Sequence, residues 1–176
     1  MFKLRELEKR DLATINKWRN DPGLICFLGS PFRYIAKEVD EEWYMDYLKN
    51  RGRTIRCAIV DDELEDHIMG LISLTNIDSI NRNAELHIMI GKKENRGMGL
   101  GSFAIKAIVN HAFNNMNIHR IELEVLEDNL IARKLYKKIG FVEEGLRREI
   151  VFKNGNYKSM VLMSLLRTEY EPGKQS

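Results

Sequence analysis

The chain has 176 residues, about the length of one domain, and 44% hydrophobic with 31% charged residues is an ordinary globular composition. Its 28 Lys and Arg residues nearly balance 26 Asp and Glu residues, so the net charge of +2 gives no basis for a general binder of nucleic acid or membrane surfaces. The sequence also lacks both the run of about 20 apolar residues that spans a bilayer and the apolar stretch of a signal peptide.

The two cysteines and four histidines give no sign of a metal centre. Cys26 and Cys57 are far apart, and the histidines do not cluster at the spacing of metal ligands. Two buried thiols in a reducing compartment are the simplest interpretation. We therefore expect a cytoplasmic protein without a bound metal.

Hydrophobic periodicity predicts one strand, two helices and three strands in the first half of the chain. The strand is expected near 2–7, the helices near 10–19 and 38–50, and the three strands near 54–60, 67–75 and 83–91. Residues 21–32 are predicted to form a loop or a short helix, and the acidic run 61–66 a solvated hairpin turn.

The second half shows clearer periods. A long amphipathic helix is predicted over 99–115, a strand over 121–125 and a helix over 129–138 that ends at Gly140. Two strands near 141–152 and 157–166 flank Asn154-Gly155, which is a strong hairpin signal.

The segment between the strand at 83–91 and the long helix has the features of an anion site. It reads Asn95-Arg96-Gly97-Met98-Gly99-Leu100-Gly101-Ser102. The first turn of a helix leaves N–H groups unpaired at the positive end of its dipole, and glycines let a phosphate approach the backbone. A strand follows the helix, so the pattern predicts a parallel β-α-β unit with its site at the carboxyl end of a strand.

Glycines alone do not decide between this site and an ordinary turn. Gly99-x-Gly101-x-x-Ala104, with Glu122 about 20 residues further on, also fits a loose dinucleotide fingerprint and makes an NAD-dependent oxidoreductase a rival. However, only one helix follows before two hairpin strands, whereas a doubly wound domain continues with further β-α units.

Two blocks in the right order resemble the GCN5-related N-acetyltransferases. The first is Arg96-x-x-Gly99-x-Gly101, and the second is Asn129-x-x-Ala132-x-x-x-Tyr136-x-Lys138-x-Gly140-Phe141. The resemblance spans nearly the whole chain. Its opening and closing segments are similar to the branch that holds ribosomal-protein N-terminal, spermidine and nucleotide-amino-sugar acetyltransferases.

The resemblance implies an α/β fold over residues 1–170, with a mixed, mostly antiparallel seven-stranded sheet, a central parallel β-α-β unit and about four helices. Residues 171–176 are expected to be a frayed tail. It implies direct transfer of an acetyl group from acetyl-CoA to an amine-bearing acceptor: a protein N-terminus, a polyamine or an amino sugar. A homodimer is common in this branch. A CoA-binding module without turnover is the alternative.

The resemblance also implies roles for individual residues. Tyr136 matches the general acid that protonates the departing thiolate, although periodicity alone makes it a core residue. Glu85 lies on the strand before the loop, where it either accepts the amine proton or forms an ordinary ion pair. The implied cofactor contacts come from the strand backbone, from the glycine loop and from Asn129, which could instead cap its helix. They are Ile88, Met89, Ile90, Arg96, Gly97, Met98, Gly99, Leu100, Gly101, Ser102 and Asn129.

Overall fold

A computed structural model describes residues 1–95 and 97–170. Its strands are β1 (Phe2–Glu6), β2 (Ile55–Asp61), β3 (Leu64–Asp78), β4 (Asn83–Ile90), β5 (Arg120–Leu126), β6 (Val142–Lys153) and β7 (Asn156–Leu166). Its α-helices are α1 (Leu12–Arg19), α2 (Pro22–Ile25), α3 (Lys37–Lys49), α4 (Leu100–Asn115) and α5 (Leu130–Ile139). None of the helices in these two ranges is both long and apolar enough to cross a bilayer.

The seven strands form one sheet in the order β1-β2-β3-β4-β5-β7-β6. Neighbouring strands run antiparallel, apart from β4 and β5, which are parallel and joined through α4. The predicted fold class and its central β-α-β unit are therefore confirmed. Arg96 and the tail at 171–176 lie outside the described residues.

The sheet is covered on its two faces by different helices. The larger core, under α4 and α5, includes the fully buried side chains of Ile105, Phe113 and Ile139. The smaller core packs α1, α2 and α3 against the first strands, with Ile15 and Tyr47 buried there.

Local sequence signals set the ends of the elements around the site. Gly140 ends α5 in the left-handed conformation, with φ of 113°, as predicted. Asn154 and Gly155 turn the β6–β7 hairpin with φ values of 50° and 78°, as the Asn-Gly signal predicts.

The acidic segment and the cysteines differ from the sequence prediction. The turn is shorter than expected, because β3 already begins at Leu64, which pairs with Asp61 on β2. The expected burial of both thiols is also wrong in degree, since Cys26 and Cys57 are only partly buried.

Candidate active site

The sheet opens between its two parallel strands. Pairing of β4 with β5 ends at Glu85 opposite Glu122, although β4 continues to Ile90 and β5 to Leu126. The two strands enclose a cavity of about 1000 Å³ that is also lined by α2, the first turn of α4, one face of α5 and the β6–β7 hairpin. A cavity of this volume at the carboxyl ends of parallel strands is a natural ligand site.

One wall of the cavity is the free edge of β4. Ile88, Met89 and Ile90 pair with β3 on their other side and line the cavity. Among the described residues, no part of β5 pairs with this stretch. Its backbone polar groups on the β5 side can therefore bind the amides of an extended ligand.

The first turn of α4 forms one end of the cavity. Gly97 and Gly99 adopt φ values of 81° and 83°, which only glycine adopts easily, and Gly99 caps the helix. Leu100, Gly101 and Ser102 follow on the cavity wall. The helix has 16 residues, so its dipole and the unpaired first-turn N–H groups make this end suitable for a diphosphate.

Met98 does not share that placement. Its side chain is 60% exposed and does not line the cavity, so only its backbone could contribute to a cofactor contact. The glycine on each side turns the chain so that the Met98 side chain stays in solvent.

Tyr136 projects from α5 into the cavity wall and is only 8% exposed. Its ring packs edge-on against Phe141 at a centroid distance of 5.9 Å. Burial raises the pKa of Tyr136 to about 12, so the phenol keeps its proton at physiological pH. It can therefore donate this proton to a group that becomes negative inside the cavity.

Asn129 caps the N-terminus of α5, as the alternative to a cofactor contact predicts. Its Oδ1 accepts from the Ala132 N–H at 3.2 Å, and its Nδ2 donates to the Phe27 carbonyl oxygen at 3.2 Å. The side chain also lines the cavity. A direct cofactor contact by Asn129 stays a prediction.

Glu85 and His87 lie on the same face of β4, as their spacing predicts, and both line the cavity. Their Oε2 and Nε2 atoms are 3.5 Å apart, and Thr75 Oγ1 lies 2.9 Å from the same imidazole nitrogen. Partial desolvation lowers the pKa of His87, against the opposing effect of the Glu85 charge. The lowered pKa favours the neutral imidazole at pH 7.

Two further cavity glutamates on β5 are paired with arginines, an arrangement that the sequence did not reveal. Glu122 accepts from Arg120 at 2.9 Å, and Glu124 accepts from Arg147 of β6. Strand alternation could have placed Glu122 and Glu124 on one face, but only the β5-β7-β6 order brings Arg147 over Glu124. These carboxylates are held by guanidinium groups, whereas that of Glu85 lies 3.5 Å from the His87 imidazole.

Lys153 on the β6–β7 hairpin is buried, although lysines on a hairpin are usually solvated. Its ammonium donates to the carbonyl oxygens of Ile25 at 2.9 Å and Ser30 at 2.6 Å. These two bonds flank residues 26–30, which we call the acceptor loop, and Phe27–Ser30 of this loop line the cavity. Lys153 and Asn129 thus tie the acceptor loop to both sides of the opening.

We expect Lys153→Met to weaken acceptor binding. The substitution keeps the apolar stem but leaves the Ile25 and Ser30 carbonyl groups without their cationic donor, at a cost of about 1–3 kcal/mol in unfolding free energy. The loosened acceptor loop should raise the KM for the amine more than the KM for acetyl-CoA. Thermal unfolding and initial-rate kinetics measure the two effects.

Lys158→Met on the same hairpin is the matched control. Lys158 forms an exposed pair with Asp128 at 2.7 Å, and such pairs contribute little to stability. Equal changes in both variants would show that the bonds from Lys153 to the acceptor loop have no special role.

The cysteines do not lie on the cavity wall. Burial raises the pKa of Cys57 to about 11, so its thiol is not activated as a thiolate. Over 1–95 and 97–170, His, Cys, Asp and Glu side chains form no group of three suited to a metal ion. The described chemistry is therefore a phosphate cradle, a buried phenol and a carboxylate around one opening.

Comparison with known proteins identifies the family of this chain. The family model for the acetyltransferase (GNAT) domain matches residues 2–142. The chain belongs to the GNAT family. GNAT membership makes the protein an N-acetyltransferase that uses acetyl-CoA, and it removes the dinucleotide oxidoreductase from consideration.

GNAT relatives of two named activities match over most of the chain. A spermidine N(1)-acetyltransferase of Vibrio cholerae is 32% identical over 168 residues, which cover 95% of this chain and 94% of the relative. A putative ribosomal N-acetyltransferase of Bacillus subtilis, YdaF, is 35% identical over 133 residues, covering 76% and 69%.

A solved GNAT structure also superposes closely. The Vibrio cholerae spermidine N-acetyltransferase in complex with CoA and spermine gives a TM-score of 0.87 at 30% identity, covering 96% of this chain and 97% of the other. The GNAT fold expected from the two sequence blocks is confirmed by this match.

Proposed function

We propose that residues 1–170 form one domain in which the opening between β4 and β5 brings acetyl-CoA and a primary amine together for direct acetyl transfer. The observation that supports this most strongly is the end of β4–β5 pairing at Glu85 and Glu122. It puts the α4 cradle, the free β4 edge, Tyr136 and Glu85 on one cavity.

The proposed cofactor position follows from the charge and shape of the walls. The diphosphate of acetyl-CoA binds the first-turn N–H groups of Gly101 and Ser102, where the positive helix end stabilises it. The pantetheine runs along the free edge of β4 and pairs with the backbone of Ile88–Ile90. The thioester then lies near Tyr136, because both β4 and α5 line the same space.

The proposed reaction needs no acyl-enzyme. The neutral amine attacks the thioester carbonyl carbon, a C–N bond forms, and the C–S bond breaks as the tetrahedral intermediate collapses. The amine nitrogen loses a proton to Glu85, directly or through water, and Tyr136 gives its proton to the CoA thiolate. Proton return from Glu85 to Tyr136 through solvent restores both groups.

We expect Glu85→Gln to reduce kcat/KM by about a hundredfold, the scale of a lost general base. Glutamine keeps the size of the side chain but accepts no proton at neutral pH. The decrease in kcat/KM of the wild-type protein at acidic pH should also change in this variant. An unchanged pH profile would remove Glu85 from the base role.

Glu122→Gln provides the control for Glu85→Gln. Glu122 is the register partner of Glu85 on β5 and also lines the cavity, but Arg120 holds its carboxylate. Its substitution changes the cavity charge by the same amount without removing the proposed base, so the loss in kcat/KM should be much smaller.

The direct test of the proposed function measures CoA release with a panel of amines. Spermidine, peptides with a free N-terminus and amino sugars cover the acceptor classes, and calorimetry with acetyl-CoA reports binding separately. The proposal requires both binding and amine-dependent CoA release. Binding with no release from any amine would instead indicate a CoA-binding module.

We also propose that the protein self-associates. A structure of the Vibrio cholerae spermidine N-acetyltransferase is described as dodecameric and matches this chain with a TM-score of 0.80. Apolar side chains of the edge strand β6 are exposed here, among them Leu146, Ile150 and Phe152. Sedimentation at several protein concentrations measures the oligomeric state.

A cytoplasmic location stays a prediction.

A further inference from the structure

Arg56 on β2 is the unusual charge in the cavity. It lines the cavity with Ser73 and His87, its neighbours in the register of β2, β3 and β4. Within the described ranges, no carboxylate lies at salt-bridge distance from its guanidinium, and its Nε is buried without a hydrogen-bond partner. The cation therefore has unused hydrogen-bonding capacity next to the space for the acceptor.

Arg147, another arginine among the described cavity residues, differs in this respect. Arg147 is paired with Glu124, so its charge is already neutralised locally. Arg56 instead has one long contact, from its Nη1 to Ser73 Oγ at 3.4 Å. The pairing of cavity charges is thus complete for Arg147 and incomplete for Arg56.

Aromatic stacking holds the Arg56 side chain in place. Its guanidinium carbon lies 4.3 Å from the Trp43 ring centroid and 5.9 Å from that of Tyr47. Burial lowers the pKa of Arg56, yet a guanidinium stays charged in proteins. Contact with the rings restrains the group but does not satisfy its N–H donors. A carboxylate can accept from these donors in the plane of the guanidinium.

The register of the sheet gives the distance to the proposed base. Arg56 is paired with Ser73, which is paired with His87, and Glu85 lies two residues away along β4. Two strand spacings and two residues correspond to about 12 Å between the backbones of Arg56 and Glu85. Because the two side chains stand on the same face of the sheet, we place an amino group at Glu85 and an anion at Arg56 several bonds apart.

We propose that Arg56 binds a carboxylate of the acceptor, and that the acceptor is an amine with an acidic group several bonds from its nitrogen. This rests on the proposed function, because it places the amine at Glu85. A peptide N-terminus with an acidic side chain at its second or third residue has this geometry. A free α-amino acid is too short, and a polyamine would meet the Arg56 charge with its own.

Matched peptide acceptors test the proposal. They are tetrapeptides with a free N-terminus that differ only by glutamate or glutamine at the second or third position. We expect the wild-type protein to favour the glutamate peptide at one of these positions by at least about tenfold in kcat/KM, as for a hydrogen bond to a charged group. The difference should reside in KM.

Substitutions at Arg56 should change that preference selectively. Arg56→Met keeps apolar contact with Trp43 and should bring the glutamate-to-glutamine ratio to about one, whereas Arg56→Lys should keep part of it. Arg53→Met is the control, because Arg53 is exposed and outside the cavity wall. Its ratio should match that of the wild type.

The outcomes separate this proposal from the one on which it rests. A wild-type protein that acetylates amines but does not distinguish the peptide pairs, or prefers spermidine to all of them, would overturn the role of Arg56 alone. An equal loss with both peptides in Arg56→Met, together with a lower Tm, would assign Arg56 to folding and also overturn it. No CoA release with any amine would overturn the proposed function itself.

Discussion

Tyr136→Phe is expected to lower kcat by about a hundredfold or more while the protein stays folded and still binds acetyl-CoA. General acids contribute about 10²–10⁴-fold to rates, and this substitution removes only the hydroxyl. The phenyl ring still packs against Phe141 in the buried position. Steady-state kinetics, thermal unfolding and calorimetry with acetyl-CoA together measure the result.

The raised pKa of Tyr136, about 12, determines which pH effects it can cause. The phenol is the proton donor below this pKa and loses the proton only above it. Tyr136 should therefore cause no decrease in kcat between about pH 6 and pH 10. A decrease within that range must come from another group.

Tyr47→Phe is the control for the loss of a tyrosine hydroxyl. Tyr47 is also buried, and its hydroxyl donates to Glu6 at 2.6 Å on the other face of the sheet, outside the cavity wall. This variant should lose about 1 kcal/mol of stability and keep its kcat. A Tyr136→Phe protein with wild-type turnover would show that the thiolate leaves without this phenol.

Of the substitutions proposed here, Gly91→Ala should give the largest decrease in the free energy of unfolding. Gly91 follows β4, and an added Cβ would lie 2.1 Å from Cε2 and 2.2 Å from Cζ2 of the Trp18 ring. Trp18 is only 7% exposed in the smaller core, and the Gly91 N–H donates to the Met69 carbonyl oxygen at 2.9 Å. Neither group can move away without loss of packing or of that bond.

The expected cost of Gly91→Ala is about 3 kcal/mol, or a decrease of about 10 °C in Tm. Gly52→Ala controls for the general effect of a methyl group, because no heavy atom beyond its chain neighbours lies within 4 Å of its added Cβ. Denaturant unfolding of both variants gives the comparison. A Gly91→Ala protein as stable as Gly52→Ala would mean that the Trp18 ring repacks freely.

The geometry of the glycine loop and the start of α4 was predictable because its signals are local. Glycines with positive φ at Gly97 and Gly99, a helix that begins directly after them and the spacing to Tyr136 all lie within continuous segments. Backbone conformation and helix dipole depend on near neighbours, so sequence patterns specify them.

The acceptor side was not predictable because its contacts join residues that are distant in the chain. No local signal marks Lys153 or Arg56, yet the order of the strands buries one against the acceptor loop and places the other over Trp43. The sequence by itself determined the helix and strand periods, the glycine cradle and the family resemblance. Only the tertiary structure decided where the sheet opens and which charges remain unpaired there, because burial and pairing depend on long-range packing.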